Sequence, residues 1–105
     1  MYTRNVSIQL KANCAPEFTR TLENEVIPML RKQKGFRDEI TLVAPERNEV
    51  VAISFWDRKE DAEAYNREKY PEILKALSKV VEGTPRVESF EVANSTSHEI
   101  AAKAA

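Results

Sequence analysis

Alternation sets in almost as soon as the chain begins. From Asn5 to Ala12, the residues Val6, Ile8, Leu10 and Ala12 share one parity and Asn5, Ser7, Gln9 and Lys11 the other. That period of two predicts a strand with two unlike faces. The period then lengthens, with Phe18, Leu22, Val26, Met29 and Leu30 recurring at helical spacing. Pro16 and Glu17 suit the first turn of that helix, Pro28 inside it predicts a kink, and Gly35 fits a left-handed C-cap. Phe36 to Ala44 reads as a second strand, Pro45 to Asn48 as a turn with Asn48 at positive φ, and Glu49 to Trp56 as a third strand. Asp57, with Glu60 three residues on, predicts a capped helix through Ala62, Ala64 and Tyr65. It breaks before Pro71 and resumes through Ile73, Leu74, Leu77, Val80 and Val81 to end at Gly83. Val87 to Val92 closes the series as a fourth strand.

The order β-α-β-β-α-β predicts an α+β, ferredoxin-like domain over residues 1–93, an antiparallel sheet with both helices on one face. Residues 94–105 form a tail. There Thr96 and Glu99 bracket Ser97 and His98 as another capping box, opening a short helix that needs a docking surface to persist.

Composition removes function classes rather than adding them. The chain has 105 residues, 42% hydrophobic and 31% charged, which suits one globular domain. A net charge of −1 with both signs interspersed gives no electrostatic footprint for nucleic acid or an anionic membrane. The apolar runs are too short to span a bilayer, and the N-terminus opens as a strand rather than a signal peptide. One cysteine, Cys14, forms no intramolecular disulfide and suits a reducing cytoplasm, while a single histidine without a CxxC or HExxH pattern leaves no zinc site. Lys34-Gly35-Phe36 precedes the wrong strand for an RNA-recognition module. Both glycines are placed as helix caps, so no phosphate-cradling loop remains.

With the helices over Val6, Ile8 and Leu10, the opposite face is expected to carry Asn5, Ser7, Gln9, Ala52, Ser54 and Trp56. Some of Thr41, Val43, Val87 and Ser89 join them. One reading makes that mixed face a solvated sheet. The other packs two sheets face to face as a homodimer around a small-molecule cavity, and the mixture favours it.

Three segments, QKGF closing the first helix, EVVAISFWDRKEDAEAY, and KYPEILKALSKVVEGTPRVESFEV, resemble the antibiotic biosynthesis monooxygenase domain family from about Asn5 to Val92. The resemblance implies a dimeric α+β barrel. It implies either oxygenation of a phenolic compound without metal or flavin, so that no cofactor is expected, or, as a minor option, haem degradation. Trp56 matches the family's strand-end tryptophan and Asn5 an asparagine that points into the cavity. Ala52 and Ser54 stand where oxygenating members tend to place a further asparagine. Haem-degrading members carry an axial histidine on the second helix, where this chain has Tyr65, Asn66 and Tyr70.

The candidate catalytic residues are therefore Trp56, Asn5 and His98, the last as the only near-neutral titrating group if the tail folds over the cavity mouth. The candidate substrate-binding residues are Ser7, Gln9, Ser54, Tyr65 and Tyr70, the tyrosines acting as hydrogen-bond donors rather than bases because a phenol ionises near pH 10. Each has a plainer reading. Trp56 and Tyr65 can be core residues, Tyr70 a gap filler at the helix break, Asn5 a backbone-bonded polar residue, and His98 an exposed one. A cofactor-independent monooxygenase acting on a small aromatic or quinol-like compound is the first function expected; a non-catalytic binding or stress-response module is the alternative.

Overall fold

The computed structural model describes residues 1–97. The elements are β1 (Tyr2–Leu10), α1 (Ala15–Thr21), a π-helical segment (Leu22–Val26), α2 (Ile27–Arg31), β2 (Phe36–Ala44), a 3-10 turn (Pro45–Arg47), β3 (Glu49–Trp56), α3 (Lys59–Glu68), α4 (Tyr70–Leu77) and β4 (Val81–Glu91). They form one antiparallel sheet of order β2-β3-β1-β4, the ferredoxin-like arrangement expected.

The helical layer takes its shape from two local conflicts. Pro28 has no N–H, and its ring would press on the carbonyl four residues back. The chain answers with the π-helical segment just ahead of it, where the Ile27 N–H reaches Leu22 O, five residues back. The expected kink is thus a local widening. The second conflict is at α3, where Asp57 does not cap. Its carboxylate is paired with Arg37, and the N-cap position falls to Arg58, which makes no side-chain cap bond. A bulge at Arg37, between the pairs Phe36↔Trp56 and Asp38↔Phe55, accompanies this pairing.

Gly35 (φ +79°) turns the chain from α2 into β2, and a Cβ there would collide with the buried Asp61 carboxylate. Gly83 ends no helix. It lies within β4 at φ +72°, beside Pro85, where β4 carries extra residues between Gln9↔Glu82 and Ser7↔Arg86. Helix α4 has already ended at Leu77, so Val81 belongs to the strand. Strand β1 begins earlier than expected, at Tyr2. The tail helix and His98 lie outside the described residues.

The core is one cluster between the sheet and the helices. Val6, Ile8, Leu10 and Val50 of the sheet meet Phe18, Leu22, Val26 and Leu30 of the first helical run and Ile73 and Leu77 of α4. Register fixes which β3 residues join them. Val6 pairs with Ala52, Arg4 with Ser54 and Tyr2 with Trp56, and paired residues share a face. The expected placement of Ala52, Ser54 and Trp56 beside Asn5, Ser7 and Gln9 is therefore corrected: the first three lie under the helices and the last three on the bare face. The β3 residues opposite Asn5 and Ser7 are Ile53 and Val51.

Candidate functional site

One polar row crosses the helix-covered face. Glu39, Ser54, Arg4 and Ser89 occupy the same level on β2, β3, β1 and β4. Apolar levels flank it, with Phe36, Trp56 and Tyr2 on one side and Ala52 and Val6 on the other. Helices α3 and α4 lay Tyr65, Asn66 and Tyr70 over the row, and a cavity of about 50 Å³ remains between. Arg4, Glu39, Ser54, Tyr65 and Tyr70 border it, and its far wall is aliphatic, built from Leu22, Val26, Ile73 and Leu77 among others.

Arg4 is the unusual member. It is 3% exposed and forms no ion pair among the described residues. Burying a guanidinium is costly without compensation. Here Nη2 donates to Asn66 Oδ1 at 2.8 Å, and the cation lies 5.1 Å from the Tyr65 ring centre and 4.5 Å from that of Tyr70. Desolvation lowers its pKa, opposed by the two phenols, yet an arginine at this site stays charged. Beyond Arg4, away from the cavity, lies an open groove of about 290 Å³ bordered by Tyr2, Glu63, Asn66 and Ser89. The guanidinium thus stands between an inner apolar hollow and an outer polar one.

The neighbouring groups are kept neutral or tied. Burial pushes the Tyr65 phenol up to about 12 against the pull of Arg4. Tyr70 moves the same way for the same reason. Its hydroxyl lies close enough to Arg4 to feel the charge but outside hydrogen-bond geometry, so its buried Oη has no partner among the described residues. Glu39 is raised by burial and held back by Thr41, whose Oγ1 donates to Oε2 at 2.7 Å. Ser54 Oγ accepts the Trp56 indole N–H at 2.9 Å, which leaves the serine proton uncommitted.

Trp56 itself is fully buried and does not border the cavity. Its ring packs 5.1 Å from Tyr65 and 5.6 Å, edge-on, from Phe36. It is a backing wall, one contact behind the space a ligand would enter, through Tyr65 and Ser54. Asn5 lies on the opposite face with Oδ1 buried and unpartnered, and Ser7 shares that face. Gln9, also there, donates to Arg47 O and Asn48 O and so pins the β2–β3 turn. Of the residues expected from sequence, Ser54, Tyr65 and Tyr70 converge; Trp56 stands behind them; Asn5, Ser7 and Gln9 lie on the bare face, across the sheet from this cavity. Arg4, Glu39 and Asn66 were missed. Arg4 had a signal, since it shares the parity of Val6, Ile8 and Leu10 and so had to face the core.

No family model matches the chain. Uncharacterized proteins of Mycobacterium tuberculosis, Rv2557 among them, are 28% identical over 93 residues, and the chain spans 41% of their length. Solved structures are more informative. The monooxygenase ActVA-Orf6 of Streptomyces coelicolor, in complex with nanaomycin D, superposes with a TM-score of 0.76 at 14% identity, covering 90% of this chain and 88% of that one. A candidate antibiotic biosynthesis monooxygenase from Deinococcus radiodurans gives 0.73 at 12% identity over 90% and 95%. The chain has the antibiotic biosynthesis monooxygenase fold. The same fold includes the haem degrader MhuD of Mycobacterium tuberculosis, which carries two haems in its active site and matches with a TM-score of 0.72 at 18% identity over 91% and 99%.

The residues of this chain do not fit a haem. Helices α3 and α4 carry no histidine, and a Tyr65 phenol held neutral up to about 12 is a poor source of tyrosinate. Among the described residues no three His, Cys, Asp or Glu side chains gather as a metal ligand set would require. What the arrangement offers instead is a fixed positive charge beside an apolar hollow.

Proposed function

We propose that this protein binds a small aromatic compound with an ionisable hydroxyl, holds it as the anion against Arg4, and oxygenates it with dioxygen. The observation that carries this reading is the buried, ion-pair-free Arg4 guanidinium on the wall of an otherwise apolar cavity. Such a site stabilises a phenolate far better than water-exposed charge does, because little solvent screens it. A phenolate gives an electron to dioxygen; recombination forms a carbon–oxygen bond on the ring, and loss of water leaves the quinone. The balance is phenol plus dioxygen to quinone plus water. Tyr65 and Tyr70, kept neutral, donate or stack rather than ionise, and Ser54 offers its free proton. Trp56 and Phe36 hold Tyr65 in place from behind. At about 50 Å³ the resting cavity holds a few water molecules, so a ring enters by displacing Tyr70 at the α3–α4 joint.

Assembly belongs to the same proposal. The bare face presents Ile40, Leu42 and Phe90, each about half exposed, in one apolar field with Val51, Ile53 and Phe55. A second copy of the chain, face to face, would bury it.

The test is a titration with 3-nitrophenol, whose phenolate has a separate visible absorption band, in neutral buffer where the free phenol is uncharged. Saturable appearance of that band, with a change in Trp56 fluorescence transmitted through Tyr65, is the expected result. Arg4→Met should weaken binding roughly tenfold or more and abolish the band. A bound phenol that stays neutral, or an Arg4→Met protein that binds equally well, overturns the reading. The small resting cavity favours one alternative, binding without turnover, and oxygen uptake with the bound phenol separates the two.

A further inference from the structure

The cavity floor holds a second charged group that anion stabilisation leaves unused. Glu39 lies on β2, two strands from Arg4, with Ser54 between them on the same face. Both charges border the cavity, yet they form no ion pair across it. Adjacent strands lie roughly 4.8 Å apart, so the two Cα atoms are separated by about twice that, and the floor between is one serine hydroxyl. A hydroxyl oxygen lying over Ser54 would have a cation on one side and a carboxylate on the other. No other carboxylate borders this cavity among the described residues.

We infer that Glu39 is the general base of this site, taking the proton from the ligand hydroxyl as the oxygen settles toward Arg4. This rests on the phenolate reading above. In the step the ligand O–H bond breaks, its electron pair stays on oxygen beside the guanidinium, and the proton passes to a carboxylate oxygen of Glu39. No redox partner is needed. The groups facing Glu39 suit the transfer: Thr41 on its own strand holds Oε2 and fixes the rotamer, Ser54 on β3 is neutral, and Tyr65 on α3 and Tyr70 on α4 are phenols that burial keeps protonated. Among the described residues Arg4 is the only cation bordering the cavity. Burial also raises Glu39 toward the operating pH, where a carboxylate base works better.

Proton counting tests this directly. The heat of 3-nitrophenol binding to the full chain is measured at neutral pH in two buffers of different ionisation enthalpy, alongside the phenolate band. If Glu39 takes the proton, the wild-type protein shows the band and releases close to zero protons to buffer. Glu39→Gln keeps the band, because the amide resembles the protonated acid, and releases about one. On rapid mixing the band should rise at least about a hundredfold more slowly in that variant, with its final height and the binding retained. A wild-type protein that shows the band but releases about one proton overturns Glu39 as the base while the Arg4 reading stands. A Glu39→Gln protein that releases none points to another acceptor and overturns it too. Absence of the band in the wild type overturns the phenolate reading and this inference together.

Discussion

Each face of the sheet departs from the usual division of polarity, the covered face at a single level and the bare face across several strands. The covered face holds an arginine, a glutamate and two serines at one level, roofed by tyrosines and an asparagine. The bare face holds Ile40, Leu42, Ile53, Phe55 and Phe90, with Asn5 and Ser7 among them. A domain selected only for stability would place these sets the other way round. Beside the apolar core that Val6, Ile8, Leu10, Val50 and Trp56 build on the covered face, these two sets answer to something other than the monomer's own packing. The covered face accepts the cost of a buried cation in exchange for a site, and the bare face keeps apolar surface that a partner surface would complete.

That contrast is broken most severely at Trp56. Its ring is fully buried on the covered face, so Trp56→Ala should cost about 3–5 kcal/mol in chemical denaturation. Ligand affinity measured in whatever fraction stays folded should fall through displacement of Tyr65, not through a lost direct contact. A loss below about 1 kcal/mol would mean that the indole is not part of the packed face at all. The large value also separates the present account from one in which the tryptophan lines the bare face, where truncation would leave the fold nearly intact.

That other placement follows naturally from sequence, and the reason it fails is instructive. Element order, the turn at Asn48 and the cap at Gly35 were legible because each depends on residues within a few positions. Strand phase does not. On β3 the set Val51, Ile53 and Phe55 is more apolar than Ala52, Ser54 and Trp56, so hydrophobicity alone points the wrong set inward. Only the pairing of Trp56 with Tyr2 and Ser54 with Arg4 decides it. Long-range partners defeated local signals elsewhere too. Arg37 drew Asp57 away from capping α3, and the bulge in β4 used a glycine that reads as a helix stop. The candidate site suffered most, because a site built from one row across four strands is invisible until the register is known.

Alkaline pH sharpens the comparison from the covered side. Tyr65 ionises near pH 10 in the unfolded chain and at about 12 in the fold. Above pH 10 the unfolded state therefore binds fewer protons than the native state, and stability falls as pH rises toward 12. The full loss amounts to about 2–3 kcal/mol, and Tyr65→Phe should remove it, flattening the alkaline limb of the stability profile. A limb that is unchanged in Tyr65→Phe would show that the phenol is less sealed than the cavity geometry implies.

The smallest effect on folding, and the sharpest on assembly, is expected on the bare face. Leu42 is about half exposed there, opposite Val51 and one pleat from Ile40. Leu42→Lys removes little buried surface from a single chain, so its unfolding free energy at fixed low concentration should change by no more than about 1 kcal/mol. In a face-to-face pair, however, symmetry places the new charge in the apolar contact twice over. The wild-type protein should therefore have a solution mass near twice its 12.0 kDa at micromolar concentration, and Leu42→Lys should return it to one chain with the fold and the phenol site unchanged. A wild-type mass of one chain would remove the second copy as the occupant of this face. It would leave the Arg4 reading standing, because the described residues of one chain suffice to line that cavity.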